Sequence, residues 1–152
     1  MTTSRGDIPA PVARFSATIH SDGTADPIDP SHANARDWAT AAWIEQSAYP
    51  ASPARAASYI YGHACHHHQC SFTHLSDAAV GDAITVTTSP SVLRYRVCAS
   101  GLSPKTGNLV IPQCQPASVD LVLVTCAYEQ GDTSTDNLIV VATLIGATNR
   151  RN

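Results

Sequence analysis

The hydrophobic positions fall into short, strand-like groups. Phe15, Ala17 and Ile19 alternate with polar neighbours, which places three apolar side chains on one face of an extended segment. Residues 58–61 (Ser-Tyr-Ile-Tyr), 83–87 (Ala-Ile-Thr-Val-Thr) and 93–97 (Leu-Arg-Tyr-Arg-Val) read the same way. In the last of these, Leu93, Tyr95 and Val97 share one face while Arg94 and Arg96 share the other. Residues 120–125 run straight into Cys126, and residues 138–145 make a final strand rich in Leu, Val, Ile and Thr.

Between these groups the chain has turn and loop chemistry. Residues 22–30 are dense in Asp, Gly and Pro. Ser31 can cap a short helix through Trp38 and Trp43, closed by the prolines at 50 and 53. Residues 99–118 hold three prolines and two glycines and read as a long polar connection, and residues 128–136 as a second loop. Residues 1–11 lack periodicity and read as a mobile arm, with residues 12–152 forming one domain. Seven or eight short strands with one or two short helices predict an all-β barrel or sandwich.

Composition narrows the classes. At 152 residues, 43% hydrophobic and 14% charged, the chain can build a core and lacks the signature of disorder. A net charge of −3, with nine scattered basic residues, argues against nucleic acid and anionic membrane as partners. The longest apolar run, residues 138–147, is too short to span a bilayer, and the N-terminus lacks the apolar core of a signal peptide. The expectation is a soluble chain, its membrane anchor absent or removed.

Five cysteines carry the candidate chemistry. The run 63–70 offers Cys65, His66, His68 and Cys70 as metal ligands of the kind zinc takes. Yet Cys-x4-Cys is wider than the usual zinc knuckle, and a second ligand pair is missing. A disulfide between Cys65 and Cys70 is favoured over a metal, with Cys98 and Cys114 as the second pair. That pairing leaves Cys126 as a thiol at the end of an apolar strand, directly after Thr125. It is either a buried structural cysteine or a nucleophile, and a nucleophile needs a base such as His63.

Three blocks in order resemble the sortases, the cysteine transpeptidases of the Gram-positive cell wall, and most closely the class E and F groups of actinobacteria. Trp43 followed by Ser58-Tyr59-Ile60-Tyr61-Gly62-His63 is similar to the family's tryptophan and its strand ending in Gly-His. Phe72 and Leu75, then Val80-Gly81-Asp82-Ala83-Ile84-Thr85-Val86, are similar to its Phe-x-x-Leu and Gly-Asp-x-Ile-x-Val. Leu123-Val124-Thr125-Cys126 is similar to its Thr-Leu-x-Thr-Cys, with the first Thr replaced. The resemblance covers roughly residues 12–146. It implies an eight-stranded β-barrel, Cys126 as nucleophile, His63 as general acid/base, Thr125 and nearby backbone N–H groups as oxyanion support, and no cofactor.

The implied partners are a sorting-signal peptide of the Leu-Pro-x-Thr-Gly or Leu-Ala-x-Thr-Gly type and an amine acceptor, a cell-wall precursor or a pilin lysine. The implied location is the outer face of the membrane or the secreted fraction. One departure stands out. Sortases carry an arginine at the start of the strand after the Cys loop; here Asn137 takes that place, and no Arg or Lys lies between Cys126 and Arg150. Arg94 and Arg96 lie on the wrong face of a different strand to replace it. This implies a slower transpeptidase, with a peptide-binding protein of the same fold, or a secreted His/Cys metal-binding β-protein, as alternatives.

Overall fold

The computed structural model describes residues 2–3, 12–15, 41–44, 57–62, 64, 72, 75–87, 91–104, 109–127 and 136–149. The apolar groups become strands: β1 (Thr2–Thr3), β2 (Val12–Phe15), β3 (Ala41–Ile44), β4 (Ser58–Tyr61), β5 (Ala83–Thr87), β6 (Ser91–Pro104), β7 (Leu121–Ala127) and β8 (Asp136–Asn149). Among the described residues a single 3-10 turn, Leu75–Asp77, is the only helical element. The strands form one sheet in the order β1-β5-β6-β8-β7-β4-β3-β2. Within it β2–β3 and β4–β7 run parallel and the other neighbours antiparallel. The sheet is not closed, so the barrel expectation holds as an eight-stranded all-β sheet with β1 and β2 at its edges. No helix among the described residues is long and apolar enough to cross a membrane.

β7 carries apolar residues at consecutive positions because both of its faces are covered. On one face Leu121 and Leu123 join Ile60, Ile84, Val86, Leu93, Tyr95, Val97, Val140 and Ala142, closed by Phe72 and Leu75 from the 3-10 turn region. On the other, Val122 and Val124 join Ile139, Val141 and Cys114, with Tyr59, Tyr61, Leu109, Ile111 and Val119 packed against them. The second face is thus covered by the segment 109–119 rather than by another sheet.

Several local expectations give way to pairing across the sheet. Of the predicted helix from Ser31 through Trp43, residues 31–40 lie outside the described ones, and its end is strand: Ala42 and Trp43 pair with Tyr61 and Ile60, while β2 pairs along the other edge. Strand pairing outweighs the weak helical preference of Ala-Ala-Trp-Ile. Within residues 1–11 the described residues are those of β1, where Thr2 and Thr3 pair with Thr85 and Ile84. The polar segment from residue 99 begins as strand, because β6 continues against β8 through Pro104. Proline is tolerated there at the last strand position. Of the strand predicted from Phe15, Ala17 and Ile19, Phe15 ends β2 (Val12–Phe15); residues 16–20 lie outside the described ones.

Gly81, at φ +96°, makes the turn into β5 in a conformation that side chains disfavour. Its N–H donates to the Val97 carbonyl, and Val97 N–H donates to the Asp82 carbonyl, which ties the turn to β6.

Asp120 joins three strands at the start of β7. Its N–H donates to the Ala142 carbonyl and its carbonyl accepts from Ser58 N–H. Its carboxylate accepts from Leu144 N–H at 2.7 Å, Thr143 Oγ1 at 3.1 Å and Ser118 Oγ at 3.0 Å. The Leu144 bond has a reason. The β7–β8 ladder ends at Leu121 and Ala142, and the β6–β8 register shifts where Ile145 is skipped, between Arg94 with Gly146 and Tyr95 with Leu144. Asp120 therefore supplies the acceptor that the ladder no longer provides. Asp120→Ala is expected to lower stability by about 3 kcal/mol in denaturant unfolding, and Asp120→Asn by less, because the amide keeps one acceptor.

Candidate active site

The sheet register assembles the site in rows. Residues in register on adjacent strands share a face. On the face covered by 109–119 the first row is Tyr59, Val122, Val141 and Ala99, and the second is Tyr61, Val124, Ile139 and Gly101. The third row is Cys126, Asn137 and Ser103. Cys126 and Asn137 are half-buried, whereas Ser103 is fully buried. The apolar rows thus give way to a polar row at one end of the sheet, where solvent reaches the thiol.

Cys126 is, among the described residues, the cysteine that carries a thiol rather than a disulfide. The parallel pairing of β4 with β7 fixes what lies beside it. Tyr61 is in register with Val124, and Gly62 N–H donates to the Val124 carbonyl. Thr125, on the opposite face from Cys126 and nearly fully buried, donates its hydroxyl proton to the Gly62 carbonyl at 2.8 Å. The last residue described at the end of β4 is thereby clamped to the residue preceding the thiol. His63 follows Gly62 in the sequence; it lies outside the described residues, as do Cys65, His66, His68 and Cys70.

Three contacts hold the covering segment to β6. Cys98 and Cys114 form a disulfide with a Cα–Cα distance of 5.4 Å. Cys98 is the extra residue of a bulge between Val97, opposite Ala142, and Ala99, opposite Val141. The bulge puts Cys98 and Ala99 together on the covered side, with Val97 on the other. Pro112 lies close over Gly101, where a Cβ would meet its Cγ at 3.3 Å. Val110 N–H donates to Ser103 Oγ at 2.9 Å. The cysteine pair was readable from the sequence; Ser103 and the Gly62 carbonyl were not, since a lone serine and a backbone oxygen leave no pattern.

Among the described residues the three rows of the covered face carry no Asp, Glu, Lys, Arg or His. Burial pushes the Tyr61 phenol up to about 12, and nearby Tyr59 adds to the rise. Burial raises Tyr59 as well. Tyr95, on the opposite face, is also pushed up to about 12, by burial and then by the Asp120 carboxylate.

The Sortase domain family matches residues 8–145, and the chain belongs to that family. Among solved structures it is similar to sortase A of Corynebacterium diphtheriae, a lid mutant, with TM-score 0.61 and 19% identity over 92% of this chain and 65% of that one. Sortase A of Listeria monocytogenes gives TM-score 0.60 and 15% identity over 91% and 81%. Sortase C-3 of Streptococcus pneumoniae gives 0.58 and 19% over 72% of this chain and only 51% of its own length. At such identities the likeness is one of fold. No curated protein matches the chain in sequence.

Two outcomes are expected. Replacing Cys98 and Cys114 by serine should cost about 3 kcal/mol of unfolding free energy, the loop-entropy value for a crosslink across 16 positions. The second concerns alkaline pH. The folded phenols keep their protons above the ordinary value of 10.0, so their contribution to stability is complete below pH 10 and declines between pH 10 and about 12. Absorbance titration should show late-ionising tyrosines, and Tyr61→Phe should remove one and flatten the alkaline loss of stability.

Proposed function

We propose that this chain is a cysteine transpeptidase of the sortase type, acting through Cys126. The observation that carries the reading is the position of the thiol. It sits half-buried at the end of β7, beside the clamped end of β4 and across from Asn137. A rigid, partly exposed strand end is where a nucleophile can be both held and reached.

In the proposed reaction Cys126 passes its thiol proton to His63 and attacks the carbonyl after Thr in a Leu-Pro-x-Thr-Gly-like or Leu-Ala-x-Thr-Gly-like signal. The C–N bond breaks, the amine leaves with a proton from His63, and a thioacyl-enzyme remains. An amine of a cell-wall precursor or a pilin lysine then attacks the thioester, loses its proton to His63 and takes the acyl group, and His63 returns the proton to the departing sulfur, regenerating the thiol. The setting proposed is the outer face of the membrane or the secreted fraction. Backbone N–H groups near Cys126 and the Asn137 carboxamide N–H donate to the oxyanion. Thr125 supports the site indirectly, because its hydroxyl proton goes to Gly62 and holds the strand ends together.

Asn137 in place of the family's arginine also favours a second reading, a sortase-fold protein that binds sorting-signal peptides and transfers them slowly or not at all. An amide donates a hydrogen bond but carries no charge, and charge-assisted bonds are about twice as strong.

Mass spectrometry of the protein with a panel of sorting-signal peptides and an amine separates the two. Transfer product is expected, with none from Cys126→Ala and roughly a hundredfold less from His63→Ala. Peptide binding without any thioacyl-enzyme would replace the first reading by the second. Asn137→Ala should lower turnover by a factor of about 10²–10³, and Asn137→Arg should match or exceed the wild type. Equal rates for Asn137→Ala and the wild type would remove Asn137 from the catalytic set.

A further inference from the structure

The polar row at the end of the sheet has a third member that the proposed reaction does not use. Ser103 is directly opposite Asn137, which is directly opposite Cys126, so the three side chains lie side by side on one face. Ser103 is completely buried. A buried hydroxyl is retained at a strand position that valine would fill better only where it has hydrogen bonds to make. One is present: Ser103 Oγ accepts from Val110 N–H at 2.9 Å. That bond uses an oxygen lone pair and leaves the hydroxyl proton to be donated. Asn137 is the neighbour in the row, and its Oδ1 is an acceptor.

We propose that Ser103 is a positioning residue for Asn137. The covering segment, through Val110 N–H, fixes the serine oxygen; in the reacting state the serine proton turns to the Asn137 carboxamide oxygen, a bond the resting structure does not make. This holds the amide with its N–H₂ end toward Cys126, the orientation in which it can donate to an oxyanion formed on the thiol's substrate. An asparagine amide can flip end for end, and a flipped one would present an oxygen to the oxyanion. Arginine has no such ambiguity, so a neighbour that orients the side chain matters more with Asn at this place. The inference rests on the transpeptidase reading given above.

The test is a double-mutant cycle on transfer rate with the full chain. Ser103→Ala is expected to lower kcat by about tenfold with KM within about twofold, since orientation is lost in the reacting state and not in binding. Ser103→Thr keeps the hydroxyl and is expected to recover most of the rate. In an Asn137→Ala background, Ser103→Ala should change kcat by less than about twofold, because its effect passes through Asn137.

Equal losses in both backgrounds would overturn the proposal and leave Ser103 as an anchor of the covering segment, as would a change confined to KM. Unchanged kcat in Ser103→Ala would overturn it too. Should Ser103→Ala unfold, Ser103→Cys, whose thiol is only a weak donor, takes its place in the same cycle, and equal losses in the two backgrounds then count against the proposal. A wild type that forms no thioacyl-enzyme at all fails the transpeptidase reading itself, and this inference falls with it.

Discussion

The parallel pairing of β4 with β7 is the constraint on which the site depends. Parallel strands point their C-terminal ends the same way, so whatever follows each strand emerges at the same edge of the sheet. Here the register sets Tyr61 beside Val124, and the Thr125 hydroxyl, bonded to the Gly62 carbonyl, carries the contact one residue further. A slip of one residue would move Cys126 to the opposite face, because alternate side chains exchange faces. That slip is opposed by the core, which would have to turn Leu121 and Leu123 out of one cluster and Val122 and Val124 out of the other. Four fully or nearly fully buried side chains thereby position one thiol.

The second constraint comes from having no second sheet over the site face. A segment without regular structure must satisfy its own backbone and still bury apolar surface. Residues 109–119 do so by borrowing β6: the disulfide at Cys98, the bare backbone at Gly101 and the hydroxyl of Ser103 are spaced along that strand. Leu109, Ile111 and Val119 then fill the space over β7 and β8. The bulge at Cys98 is part of this arrangement. Were Cys98 paired in regular alternation instead of bulged, Ala99 would fall on the same side as Val97 instead of against the cover.

Much of this was legible in the residues, and the rest was not for physical reasons. The strands at 58–61, 83–87 and 121–127 announce themselves because their burial follows directly from period-two or continuous apolar patterns. The Thr-Cys pair at the end of one of them needed only the sequence. The strand at Ala41–Ile44 was hidden, since alanines favour helix locally and only partners on both sides make them extended. The continuation of β6 to Pro104 was hidden too, because glycine and proline signal a turn until a long antiparallel partner is present. What no pattern could show is that Ser103, Asn137 and Cys126 form one row. Adjacency of that kind is a property of three registers at once.

The hydrogen bond between Thr125 and Gly62 joins residues 63 positions apart. The β5–β6 hairpin, by contrast, closes between Thr87 and Val92. Closing a long loop costs chain entropy before any contact rewards it, so distant pairings form after near ones. The end of the sheet that carries Cys126 is therefore among the last parts to form as the chain folds. A partly folded chain can hold its β5–β6 hairpin and still lack a positioned Cys126, so that thiol takes its place only in the finished domain.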